Sequence, residues 1–370
     1  MTAPATVTAP AASGLVHLPL ALFAAPMGVG GLGLAWREAS RALGAPQIVG
    51  ELILAAAAVV WVTLAVLHVR RAMRHPEALA GDLKHPIRAA FAGAVGIGLM
   101  IVAGALAPYA ADLSRLVWLA AILVQNLAAL WVVRVLIKAP RDAATLTPPL
   151  LIPLVGNFVA PLAGVALGFE ELSWILFGIG AVLWLLLQPL LVGRLASGPE
   201  LPPKLKPSLA ILLAPPAVGS LALWQLTGSF GPGPLALLGF AMMVFLVLAS
   251  LWREIFAAPF SMAWWSLTFP LAAFTTAMMV YFRHHPAAWS GAVEWPLLVG
   301  ATVIVGFVAW GIHHLLFGVG RVSTDNGIGR YIFGDGAVGG DDCAVTDLHP
   351  GHDDTVVTDP HIVADDGIPF

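Results

Sequence analysis

The residues able to do chemistry fall into three groups. The first is the histidine pairs His284–His285 and His313–His314. The second is the acidic stretch near the carboxyl terminus that holds Asp341, Asp342, Cys343, His349, His352, Asp353 and Asp354. The third is WWSLTFPLAAF at 264–274, where a proline stands between two phenylalanines in an apolar run. The first two suggest metal or proton chemistry. A zinc site needs three or four ligands held by a fold, and the spacing of the acidic stretch matches no such pattern. Neighbouring residues on a helix point about 100° apart, so one histidine pair does not easily present both rings to one ion. Interfacial packing is the better reading of these pairs. No metal and no cofactor is expected, and no base, nucleophile and ligand set stands at one depth as an enzyme would need. The third group suggests a steric device, an aromatic plug beside a bend.

The elements that must position that plug follow from composition. The chain is 59% hydrophobic and 11% charged, whereas a soluble domain carries charge on about a quarter of its residues. This is the composition of a polytopic, all-α membrane protein with lipid around it and no nucleic-acid partner. The lone Cys343 excludes an internal disulfide. A bilayer core needs about 20 apolar residues per helix. Ten such runs are present, near 17–36, 48–69, 88–108, 114–137, 149–168, 172–194, 208–227, 233–252, 262–282 and 294–317. Fourteen Lys and Arg follow the even spans or lie in the tail, against four after odd spans. That bias places both termini in the cytoplasm, as expected for a multi-pass protein of the cell's inner membrane. Residues 1–16 form a short cytoplasmic arm, 17–318 the ten-helix domain, and 319–370 a tail. From Arg321 onward ten Asp face two basic residues, so the tail reads as acidic and disordered. Residues 1–320 carry 16 basic and 11 acidic residues, a net of +5.

The five hairpins are not alike within. Central prolines fall only in odd spans: Pro26, Pro153, Pro161, Pro215, Pro216 and Pro270. Eight Trp lie in even spans and four in odd ones. A proline frees a backbone carbonyl that needs a partner or water in hydrocarbon, so kinked odd helices belong inside, around a cavity. Straight, Trp-rich even helices belong outside. The middles of the odd spans carry no ionisable residue, unlike the charged relays of coupled transporters. This predicts a narrow pore lined by small residues, with Asn157 and Thr268 as candidate polar lining and an apolar constriction as gate. Phe269, beside the bend at Pro270, either projects into the axis or packs as a core residue.

Five stretches, in order, resemble one family. They are FAAPMGVGGLGLAW (23–36), HPIRAAF (85–91), VGNFVAPLAGVALG (155–168), LLQPLLVGRL (186–195) and, most specific, AWWSLTFP (263–270). Together they are similar to the tellurite-resistance/C4-dicarboxylate transporter family, which includes the plant slow-type anion channels. The resemblance implies five hairpins with quasi-fivefold symmetry, the odd helices lining a central pore. It implies a homotrimer with one pore per subunit, and a helix-nine phenylalanine, here Phe269, occluding that pore. The implied activity is passive conduction of small inorganic or organic anions, or alternatively transport of a malate-like C4-dicarboxylate, linked in some members to tellurite resistance. Pro270 matches the plant pattern. The short amino-terminal arm and the acidic tail depart from it.

Overall fold

The computed structural model describes residues 15–138 and 145–317. The expectations for the arm before residue 15 and for the acidic tail lie outside the described residues. What is described is helical. Among the described residues, nine helices are long and apolar enough to cross a membrane: α1 (Leu20–Ala42), α2 (Gln47–Arg74), α3 (Ile87–Leu106), α4 (Ala111–Lys138), α6 (Glu170–Ser197), α7 (Pro203–Thr227), α8 (Pro232–Ser250), α9 (Met262–His284) and α10 (Gly291–His313). A shorter apolar helix, α5 (Pro148–Gly164), takes the remaining place in the order.

The odd helices form a closed ring. Packing runs from α1 to α3, α3 to α5, α5 to α7, α7 to α9 and α9 back to α1. Each even helix packs on the odd helix before it. The central windows of α1 and α9 are 78% buried, while that of α2 is 17% buried and that of α8 22%. Large exposed apolar side chains such as Val59, Leu130, Leu185, Leu246 and Trp310 lie on the even helices. Their uninterrupted apolar surface suits lipid, because hydrocarbon needs no polar match. The chain is thus an all-α, multi-pass membrane protein with an inner ring and an outer belt.

The prolines are not simple kinks. They mark joints where the winding changes. In α9 a 3-10 segment, Met262–Leu267, gives way to an α segment, Thr268–His284, whose third residue is Pro270. In α7 the 3-10 segment Pro203–Leu213 precedes Ala214–Thr227, with Pro215 and Pro216 second and third. Pro26 is third in Ala24–Ala42 after a 3-10 turn. In α5, Pro153 is third in Leu151–Val155 and Pro161 second in Ala160–Gly164, with 3-10 turn Gly156–Val159 between. Within the first helical turn a proline lacks only an N–H that has no helical partner there. The carbonyls left over at the α5 joint are claimed by Gln125 of α4. Its Nε2 donates to Pro153 O at 2.8 Å and Ile152 O at 3.3 Å. Gly96 and Gly156 leave the room for that side chain, since a Cβ on either would run into it.

Two further differences bear on function. Helix α1 continues to Ala42, so Arg37 and Glu38, just beyond the expected first span 17–36, lie inside a ring helix. At the other end of the ring Asp82, on the short helix Pro76–Lys84, is 5% exposed. It accepts from Arg71 at 2.7 Å and Arg88 at 3.1 Å, tying α2 to α3.

Candidate functional site

Two cavities lie inside the ring, and every residue lining them comes from an odd helix or the turn that follows it. The narrower one holds about 50 Å³ and is walled by the amino-terminal and middle parts of the helices: Met27, Ile97, Val155, Phe158, Pro215 and Phe269 are among its residues. The wider one holds about 270 Å³ and is walled by carboxyl-terminal halves, including Arg37, Gly104, Ala163, Gln225 and Thr276. All five odd helices therefore run in the same direction. Val159 of α5 borders both spaces, so they abut at its level.

Phe269 walls the narrow cavity and is 7% exposed. Its ring lies on Gly31 of α1. A Cβ built on Gly31 would stand 2.8 Å from Phe269 Cδ2. That is well inside the usual contact of about 3.5–4.0 Å between carbons, so only a glycine lets the ring take this position. The other proline-joint residues facing the space are Pro215 and Pro270.

The two expected polar lining residues sit elsewhere. Asn157 is fully buried and exchanges amide hydrogen bonds with Asn126 of α4 at 3.0 and 3.4 Å, on the side away from the cavity. The Thr268 hydroxyl donates to Trp265 O at 2.7 Å and packs on Gly28. The polar residue that does face the narrow space is Ser266. Ser266 and Phe269, three residues apart across the joint, fall on one face, while Thr268, one residue from Phe269, turns off it. Gly156 and Val159 likewise line the cavity while Asn157 does not.

The wide cavity carries charge, which the sequence reading missed. Arg37 binds Glu51 of α2 through two parallel bonds, Nε to Oε1 at 2.8 Å and Nη2 to Oε2 at 2.6 Å. Its remaining donors reach Gly104 O at 3.1 Å and Ala105 O at 3.3 Å at the end of α3. Tyr109, in the turn after α3, lies beside Glu51, whose carboxylate holds the phenol above its usual range. Glu38 is flanked by Arg41 and Arg283. Arg283 in turn lies over the Trp224 ring at 5.5 Å, and Trp224 Nε1 donates to His284 at 2.9 Å. The signal that could have revealed these charges is the run REASRA, made of residues that continue a helix beyond Trp36.

The arrangement defines a class: a membrane protein whose ring of five helices encloses two abutting cavities, one apolar and one lined by charged residues. The chain belongs to the SLAC1 family of voltage-dependent anion channels, whose model matches residues 17–313. It is 26% identical over 278 residues to the S-type anion channel SLAH3 of Arabidopsis thaliana, covering 72% of this chain and 43% of that one. It is 26% identical over 280 residues to SLAH2 of the same plant, covering 72% and 53%. A tellurite resistance protein TehA homolog of Haemophilus influenzae is 23% identical over 271 residues, covering 72% of this chain and 82% of the relative. The chain thus spans about half the length of the plant relatives it matches.

Proposed function

We propose that this protein is a passive channel for small anions, with Phe269 as its gate. The observation that carries the reading is the pair of cavities lined by ring helices that abut at Val159, with Phe269 in the wall of the narrow one. Among the described residues no ionisable side chain lines the narrow cavity, in contrast to the coupling carboxylate of a proton-driven carrier. An apolar constriction conducts only when its plug moves, because a dry, narrow segment does not hydrate an ion. The net positive ring domain raises local anion concentration without binding anions tightly. Both termini are assigned to the cytoplasm, which makes the charged wide cavity the external mouth. Three copies are assigned to the working assembly in the cell membrane, in keeping with the family resemblance.

The test is anion flux through purified protein in liposomes, wild type beside Phe269→Ala, with chloride, nitrate and malate. A large rise in the variant for several anions, without a proton gradient, is expected. Unchanged flux would sink the gate assignment. Saturable malate flux that requires a proton gradient would favour an organic-anion carrier instead.

A further inference from the structure

Arg37, Glu38 and Arg41 line the wide cavity, Glu51 and Arg283 pair with them from behind, and the five charges do not play equal parts. Arg37 and Glu51 satisfy each other, and Arg37 spends further donors on two carbonyls. That pair is a structural clamp across α1, α2 and α3. Glu38 is different. It is 4% exposed, yet neither oxygen is well held. Oε2 receives a long 3.4 Å bond from Arg41, whose own side chain is 57% exposed. Oε1 lies 3.2 Å from Arg283 Nε, but the N–H is not aimed at it and this oxygen has no hydrogen bond. A buried carboxylate is unfavourable unless it is both paired and hydrogen-bonded. Glu38 has the pairing and lacks most of the bonding.

We propose that Arg41 and Arg283 form an oxyanion-binding site at the mouth of the pore, and that Glu38 occupies it as a tethered competitor. The proposal rests on the reading of the ring as an anion path. The two cations flank one carboxylate, one at each oxygen; Glu38 and Arg41 line the cavity of about 270 Å³, together with Trp224, on which Arg283 rests. A carboxylate or nitrate from solution presents the same planar pair of acceptors to the same two guanidinium groups, which match that shape. Chloride, a sphere, replaces one oxygen and not both. Arg283 keeps its place when Glu38 swings away, because it rests on the face of Trp224. The site therefore ranks planar oxyanions above halides. While Glu38 is seated, its charge also opposes the entry of any anion.

The experiment combines two readouts. In detergent-solubilised, full-length protein with Phe269 intact, thermal unfolding is followed against nitrate and against chloride at constant ionic strength. In liposomes, nitrate flux against concentration is followed in a Phe269→Ala background. Glu38→Gln is expected to lower the half-saturating nitrate concentration about tenfold in both. That is the effect of removing one unit charge about 6 Å away at an effective dielectric constant of about 40. The shift for chloride is expected to be smaller, and Glu38→Asp, which keeps the charge, is expected to stay near the parent. Arg41→Gln, at the exposed rim, is a second variant independent of any effect of Glu38→Gln on folding. It is expected to raise the half-saturating nitrate concentration several-fold. Unchanged half-saturation in Arg41→Gln, or equal shifts for nitrate and chloride in Glu38→Gln, would overturn the proposal. If Phe269→Ala alone carries no flux, the gate reading fails, and the thermal readout still decides whether the oxyanion site exists.

Discussion

Gly31→Ala should open the pore without any substitution at Phe269, by displacing its ring. The added methyl would stand 2.8 Å from Phe269 Cδ2 and 3.5 Å from the Ala272 Cβ. Carbon pairs settle at about 3.5–4.0 Å, so the ring must retreat by roughly 0.7 Å or more. Ala272 is fully buried and α1 packs tightly on α9, which leaves rotation of the ring as the easier response. Overpacking of this kind costs about 1–3 kcal/mol. If the cost falls on the closed ring position and is relieved when the ring turns away, the open-to-closed ratio rises by about 5–150-fold. The assay is single-channel recording or liposome flux, with Gly28→Ala as control. A Cβ at Gly28 would run into Thr268 instead, on the same helix pair but off the cavity. The control is expected to lower thermal stability without raising flux. Wild-type flux from folded Gly31→Ala, or equal flux from both variants, would refute the placement of the gate.

Three other outcomes follow from the same geometry. Pro270→Ala should change stability by no more than about 1 kcal/mol, because the proline sits in the first turn of its α segment and not in mid-helix; a loss of several kcal/mol on thermal unfolding in detergent would contradict the joint. Gln125→Leu should destabilise the fold by about 1–3 kcal/mol for each of the two carbonyls it abandons, seen as a lower unfolding temperature with unchanged helix content by circular dichroism. Asp82→Asn leaves Arg71, 3% exposed, without its ion partner, and should cost about 3–5 kcal/mol, whereas Glu77→Gln on the exposed side of the same short helix should be silent in the same unfolding assay.

Much of this molecule was legible in its residues. The alternation of proline-bearing and Trp-rich spans separated the ring from the belt, because proline and glycine are tolerated in hydrocarbon only where the backbone is shielded. Five ordered motifs, AWWSLTFP above all, pointed to the family that residues 17–313 match. What remained hidden depended on winding and on distance in sequence. Composition does not show that Met262–Leu267 and Gly156–Val159 wind at three residues per turn, nor that Asn157 turns to Asn126 and Thr268 to the Trp265 carbonyl instead of the cavity. The charges of Arg37 and Glu38 looked like the end of a span, since a buried ion is unfavourable alone. Only the tertiary structure brings Glu51, from 14 residues away, and Arg283, from the ninth helix, to meet them. Sequence determined which helices face inward through the cost of unpaired backbone in lipid. Tertiary structure decided which side chains face the path, because that is set by local winding and by partners that only folding brings together.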